Sequence, residues 1–277
     1  MKFGQNKLGF MQGRLSPLQF NKVQAFPWGH WEEEFKLAKS INLQLIEWTI
    51  DNYRFEENPL FTKHEEIREL QAKYRVQTPS ITDDEFMENP PWVVGKDLCV
   101  SRLRRIIESM PNIGIGILVV PLVDNSSIKF SSEFQRIVIN LFREINSLLK
   151  ENNLRVAFEL DLGPKEVVDF LDQLDESTFG VNYDIGNSAS LGFAPDQEIQ
   201  SYGARILNVH LKDRKFGGPT VPLGEGSADF KKVFELLANC NYEGNLIFQT
   251  ARTVDENHLG LMSKFIEFTE QILEGSS

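Results

Sequence analysis

Cysteine and histidine are scarce in this chain. Cys99 and Cys240 are the only cysteines among 277 residues, so at most one disulfide can form. A chain of this length buries a core large enough to do without one, and both thiols are expected to be reduced, as in a cytoplasmic protein. Long apolar runs are also missing. The most apolar stretch, Ile113 to Val123, is broken by glycine and proline and falls short of the ~20 residues of a membrane-spanning helix. Met1 to Lys7 offers no apolar segment that could act as a signal core. Basic residues are in deficit, with 29 Lys and Arg against 40 Asp and Glu and a formal net charge of -11. A surface of that sign weighs against nucleic acid and membrane as partners, while leaving room for a local basic pocket that takes one phosphate. A soluble, cytoplasmic protein is expected.

What the chain repeats is one unit. With 41% hydrophobic and 25% charged residues the profile is that of an ordinary globular protein, and no low-complexity linker or shift in composition divides it. A single domain over residues 1–277 is therefore expected. Short apolar, β-rich runs lie at Leu8–Met11, Leu43–Trp48, Val76–Ile81, Ile115–Pro121, Leu154–Leu160, Phe179–Ile185, Ile206–Leu211 and Asn245–Gln249. They read as continuous apolar runs, as parallel strands buried on both faces do. Amphipathic stretches follow them at Trp31–Ser40, Lys63–Lys73, Lys96–Ser109, Ser132–Lys150, Lys165–Leu174, Asp196–Gly203, Asp229–Asn239 and Asn257–Leu273. Between Ser132 and Lys150 the apolar stripe Phe134, Ile137, Val138, Leu141, Ile145, Leu148 and Leu149 has helical spacing. Eight rounds of strand and helix predict an α/β fold, a single (β/α)8 TIM barrel, which typically takes ~250 residues. The competing doubly wound sheet lacks support, because no Gly-x-Gly-x-x-Gly follows a strand.

Four of the last strands end on side chains that favour metals: Glu159, Asp184, His210 and Gln249, spaced 25, 26 and 39 residues apart. In such barrels the chemistry sits where strands pass into the following loops. A single polar residue at a strand end is more often a loop hydrogen-bonder. Four in consecutive units favour one shared site. Two carboxylates, an imidazole and an amide oxygen suit one divalent ion, Mn²⁺, Mg²⁺, Co²⁺ or Zn²⁺. Only His210 of the four histidines has a strand-end context. His30, His64 and His258 lie at or in helices and are expected to be solvated.

Glu47 ends the second strand candidate and could bind a substrate hydroxyl or pair with a cation inside the barrel. Lys212, Asp213 and Arg214 form either a charged loop or a group that neutralises a developing oxyanion. Arg252, just past Gln249, is a similar candidate. Gly217-Gly218-Pro219 and Gly224-Glu225-Gly226 flank a loop able to fold over the site. Phe86, Pro90, Pro91 and Trp92 read either as a water-excluding cap or as a packed loop.

The stretches Phe10-Met11-Gln12-Gly13-Arg14-Leu15-Ser16-Pro17, Ile46-Glu47-Trp48, Val209-His210-Leu211-Lys212-Asp213-Arg214 and Val221-Pro222-Leu223-Gly224-Glu225-Gly226, together with Glu159 and Asp184, resemble the xylose isomerase-like barrel superfamily. The nearest branch is that of the sugar phosphate isomerases and epimerases, and the likeness runs over essentially the whole chain. The resemblance implies one divalent metal ion held by Glu159, Asp184 and His210, with Gln249 where a second Glu is expected. Asn187 likewise stands where many relatives carry a histidine. A sister branch of multi-zinc DNA-repair endonucleases fits poorly, since the other three histidines are off the strand ends and the net charge is -11.

The activity implied is isomerisation or epimerisation of a sugar or sugar phosphate through an enediolate. Glu159 is the expected base and Lys212 the group beside the developing oxyanion. Gln12, Arg14, Glu47, Arg214 and Arg252 are the expected substrate contacts. Because an amide cannot shuttle protons, Gln249 leaves open a catalytically altered relative, a sugar-binding barrel or a lyase or dehydratase. No nucleic acid and no membrane are expected as partners, and homo-oligomerisation, common for the fold, is left open.

Overall fold

Eight short strands close into a parallel barrel in the computed structural model, in which residues 7–252 and 257–275 are described. The absence of a signal core, read from Met1 to Lys7, concerns a segment lying outside the described residues except for Lys7. The strands are β1 (Leu8–Met11), β2 (Leu45–Ile50), β3 (Gln77–Asp83), β4 (Ile117–Leu122), β5 (Arg155–Leu160), β6 (Phe179–Asp184), β7 (Ile206–Leu211) and β8 (Leu246–Phe248). Each pairs in parallel with the next in chain order, and β8 returns to β1. One or more helices lie in each connection, which gives the (β/α)8 barrel the repetition predicts. Among the described residues no helix is long and apolar enough to cross a membrane.

The boundaries moved where pairing overrode local composition. Strands β2 and β3 run on to Ile50 and Asp83, because Thr49 pairs with Thr82 and Ile50 with Asp83. Read alone, Thr82-Asp83 looks like the start of a turn; the neighbouring strand supplies what the residues themselves do not. Glu47 consequently lies in the middle of β2 and not at its end. Helix Ser132–Glu151 follows its pattern closely: the Ser131 hydroxyl accepts from the Phe134 N–H, and Val138, Leu141, Phe142, Ile145 and Leu149 are buried.

Successive residues on each strand face opposite ways. Phe10, Ile46 and Phe248 join the large apolar shell under the helices, while their neighbours Met11, Leu45 and Ile247 form a small separate cluster inside the barrel. Ile117, Val119 and Ala157 make a second such cluster. Beside them the strands bury a polar layer of Glu47, Ser80, Thr82, Asn182, Asn208 and His210. In the loop after β3, Trp92 stacks on Phe134 with centroids 4.1 Å apart, and Phe86 packs 6.0 Å from Phe142. That segment is a packed loop.

The loop after β1 is held from two sides. Glu34, fully buried on helix Trp31–Ser40, accepts the Gly13 N–H at 3.0 and 2.9 Å, the Leu15 N–H at 3.1 Å and the Ser16 hydroxyl at 2.8 Å. Arg252 donates to the carbonyls of Gly13 and Ser16. Gly13 itself has φ +94°, a conformation that a side chain would strain. Burial pushes the Glu34 carboxyl up to about 7, against the pull of its donors and of Arg252.

Glu34→Ala should lower unfolding free energy by on the order of 3 kcal/mol, because it leaves buried N–H groups unpaired. A carboxyl whose pKa rises on folding stabilises most below its ordinary value of 4.5 and loses that contribution as pH climbs through about 7. The stability advantage of wild type over Glu34→Gln should therefore shrink across that window. Urea titrations at several pH values measure it, and a difference that is flat with pH would refute the assignment.

Candidate metal centre and active site

Three of the four strand-end side chains meet. One carboxylate oxygen of Glu159, one of Asp184 and a ring nitrogen of His210 lie within 4.8 Å of one another, all on buried residues. His210 Nδ1 is 3.2 Å from Glu159 Oε2 and 4.0 Å from Asp184 Oδ2. Asp184 is also the N-cap of helix Ile185–Leu191, where it accepts the Asn187 N–H at 2.8 Å. That bond uses Oδ1 and leaves Oδ2 toward the histidine.

The other nitrogen of His210 fixes the ring. Nε2 is 2.7 Å from Glu47 Oε1, and a carboxylate can only accept there, so Nε2 carries a proton, while Nδ1, 3.0 Å from the Asn182 amide nitrogen, is the ring atom that faces Glu159 and Asp184. Glu47 is held in turn by the Ser80 hydroxyl at 2.7 Å, the Thr82 hydroxyl at 2.8 Å and the Asn208 amide at 2.8 Å. It is therefore the internal partner of His210. Asn182 completes the layer: its amide donates to Glu159 Oε2 at 2.9 Å, and its oxygen accepts from Asn208 at 2.9 Å.

Burial alone would lower the His210 pKa, but Glu47 and Glu159 outweigh it and push the imidazole up to about 10. For Glu47 and Glu159 burial is likewise the largest opposing influence, and His210 overcomes it in both, holding them below the usual carboxylate range. Burial raises Asp184, with the nearby Lys212 pulling the other way. Three carboxylates thus face two cations, an imidazolium and the Lys212 ammonium, and one negative charge is left over. Exchanging the Nδ1 proton for a divalent ion brings the cluster to neutrality. The donor set, two carboxylate oxygens and an imidazole of fixed tautomer, fits such an ion.

Lys212 is the second organiser of this rim. Its ammonium lies 3.3 Å from Asp184 Oδ2 and 3.1 Å from Gln249 Oε1. Gln249, carried by the end of β8, is therefore brought to the site, with its oxygen engaged by Lys212. Gly186 makes the approach feasible, since a Cβ there would stand 2.8 Å from the Lys212 carbonyl. Asn187 links Glu159 to the periphery: its amide donates to Glu159 Oε1 at 2.6 Å and its oxygen accepts from Arg214 at 2.9 Å.

A cavity of about 200 Å³ opens at this end of the barrel, with Arg14, Gln24, Thr82, Asp84, Glu159, Asn187, Lys212, Gln249 and Thr250 among its walls. Arg14, an expected substrate contact, lines this cavity. Glu47, Gln12, Arg214 and Arg252 are not in the wall, and each has other partners. Glu47 serves His210. The Gln12 oxygen accepts the Thr49 N–H at 3.2 Å. Arg214 holds Gly218 O and Asn187, and Arg252 clamps the loop after β1. Asp213 is structural as well: its carboxylate accepts the N–H groups of Gly224, Gly226 and Ala228 and shapes the loop after β7. His258, expected to be solvated, is buried against the fold.

A larger groove of about 510 Å³ lies elsewhere, beside Phe55, Cys99 and Arg102, and holds none of the candidate residues. Sequence reasoning missed Asn182 and Asn208. The available signal was their position two residues before Asp184 and His210, hence on the same strand face.

A family model described as xylose isomerase-like TIM barrel matches residues 35–267. The inosose dehydratase of Clostridium tetani is 28% identical over 158 residues, which cover 48% of this chain and 52% of that protein. The chain spans about half the length of the curated relatives it matches. Among solved structures, an L-ribulose 3-epimerase superposes with a TM-score of 0.75 at 13% identity, covering 98% of this chain and 95% of the other. The IOLI protein with a bound zinc atom gives 0.75 at 13% identity, over 96% and 99% of the two chains. At such identities the likeness is one of fold.

One divalent ion per chain is expected, lost in Asp184→Asn and in His210→Ala with the far-ultraviolet circular dichroism unchanged. Because His210 stays protonated up to about 10 in the ion-free protein, binding at pH 7 should release close to one proton. Affinity should then rise by up to ~10-fold per pH unit below that value. Elemental analysis and calorimetry in buffers of different ionisation enthalpy measure both. Full metal occupancy in the two variants would rule the centre out.

Proposed function

The chain belongs to the xylose isomerase-like TIM barrel family, and from that premise we propose that it is a divalent-metal-dependent sugar isomerase or epimerase that works through an enediolate. The observation that carries this reading is the double position of Glu159. Its carboxylate belongs to the three-residue donor set and also lines the cavity where a substrate would sit.

Glu159, Asp184 and His210 would hold the ion. When bound, it supplies Lewis acidity that polarises a carbonyl and an adjacent hydroxyl of a ketose. Glu159 is then the base for the proton on the neighbouring carbon. Amide donors from Asn182 and Asn187 keep it ionised and aimed. Lys212, also in the cavity wall, places a positive charge where oxygen gains electron density. Arg14 lines the same cavity. Inversion at one carbon needs a second proton carrier on the opposite face, and Gln249 is an amide that neither takes nor gives a proton near neutral pH.

A second reading follows from that departure. Dehydration begins with the same loss of a proton beside the carbonyl, and a hydroxyl on the next carbon then leaves as water with a proton from an acid. It requires no inverting partner at the position of Gln249. The inosose dehydratases among the relatives favour it.

Glu159→Gln should suppress exchange of the substrate proton beside the carbonyl with solvent deuterium by on the order of 10²-fold or more, compared with wild type at matched metal occupancy. Wild-type exchange in that variant would sink its role as base. On a panel of ketoses and inososes, product analysis by NMR separates the readings, since a dehydratase forms an enone or its tautomer with loss of water. Gln249→Glu should raise inversion at C3 of ketoses. Robust C3 inversion by wild type would show that the missing carboxylate is irrelevant.

A further inference from the structure

The cavity that Glu159 lines carries polar atoms that nothing in the chemistry above uses. Asp84, just past β3, is more than nine-tenths buried, and its Oδ2 has no hydrogen-bond partner among the described residues. Gln24 Oε1 and Thr250 Oγ1 are buried in the same condition. All three residues line the cavity that also holds Glu159, Lys212 and Gln249. Buried polar atoms in native proteins are nearly always hydrogen-bonded, so three orphans around one small cavity mark where a ligand's polar groups belong.

The orphans are mostly acceptors. Gln24 places one amide N–H on the Thr49 hydroxyl at 3.0 Å, its side chain also hydrogen-bonds Asp84, and its oxygen is left unpartnered. A carboxylate oxygen accepts, and a threonine hydroxyl does either. The wall is also built to stay in place. Arg14 donates to the Thr250 carbonyl at 3.1 Å and to the Val23 carbonyl at 2.9 Å, tying the segments that carry Thr250 and Gln24 to the loop after β1. The guanidinium is thereby engaged by backbone, and Lys212 is engaged by Asp184 and Gln249. Asp124 adds a further carboxylate to the cavity.

We propose that Asp84, Gln24 and Thr250 form a hydroxyl-binding subsite that makes this enzyme select an unphosphorylated polyhydroxy ketone over its phosphate ester. The proposal rests on the reading of the site as one for a keto sugar or related polyol. A hydroxyl brings the donor that these acceptors lack. An ionised phosphate brings only acceptors and would meet Asp84, Asp124 and Glu159. Burial, with Asp51 and Asp83 close by, already opposes negative charge at the Asp84 carboxyl; a phosphate dianion would add to the negative charge gathered there, and a neutral hydroxyl would not.

Sugar alcohols test the subsite apart from catalysis, because they carry no carbonyl. Calorimetric titration of the metal-loaded protein with xylitol, sorbitol and sorbitol 6-phosphate should show saturable binding of the first two and binding of the ester at least ~10-fold weaker. Asp84→Asn and Thr250→Val should each weaken sorbitol binding by about 10-fold, with metal content unchanged. If Asp84→Asn does not fold, Thr250→Val and Gln24→Ala decide the matter on the same criterion. Equal or tighter binding of the ester, unaltered affinity in the folded variants, or no saturable polyol binding would overturn the proposal. Polyol binding without proton exchange on any ketose would instead remove the isomerase reading and leave the subsite standing.

Discussion

The 2.7 Å hydrogen bond between Glu47 and His210, buried in the middle of the barrel, is the constraint on which the site depends. It joins β2 to β7, strands that are not neighbours in the sheet. It fixes which ring nitrogen carries the proton, and so decides that Nδ1 faces Glu159 and Asp184. A buried carboxylate and imidazole contribute little net stability, because desolvation offsets most of their attraction. Their value here is orientation. Ser80, Thr82 and Asn208 satisfy the remaining lone pairs of Glu47, so the pair is held without an unmet polar group.

Around that bond the barrel interior is organised by charge. The buried polar cluster contains more carboxylate than it can neutralise by itself. That imbalance makes a divalent ion the natural completion of the cluster, and it explains why Lys212 leans over Asp184. The same surplus of acceptors extends along the cavity lining through Asp84 and Gln24. In the proposed reaction the two halves would divide the work, one concentrating charge on the reacting carbons and the other reading hydroxyls.

The loops at this rim are held by backbone-directed side chains. Glu34 and Arg252 grip the loop after β1 from opposite sides, and Asp213 gathers three N–H groups of the loop after β7. Gly226 permits this, since a Cβ there would collide with the Asp213 carboxylate. Several residues that look like substrate ligands in the sequence, Arg214 and Arg252 among them, are of this scaffolding kind. A charged side chain near a strand end looks the same in sequence whether it meets a ligand or a carbonyl; only the position of the carbonyl decides.

The sequence alone determined the repeat, the barrel and the three strand-end side chains that meet at one rim, because all are local properties. Apolar runs alternate with helical stripes at a fixed interval, and strand ends of successive parallel strands must share one rim. It also determined that Gln249 departs from a carboxylate, a fact of identity and not of arrangement. What only the tertiary structure decided are the pairings across the barrel. Glu47 with His210 are separated by 163 residues, and Arg14 with Thr250 by 236. No local pattern encodes such contacts, since closure of the sheet brings the partners together. The same closure gathers Gln24, Asp84 and Thr250 from three different loops onto one wall, where their unmet hydrogen bonds first become visible.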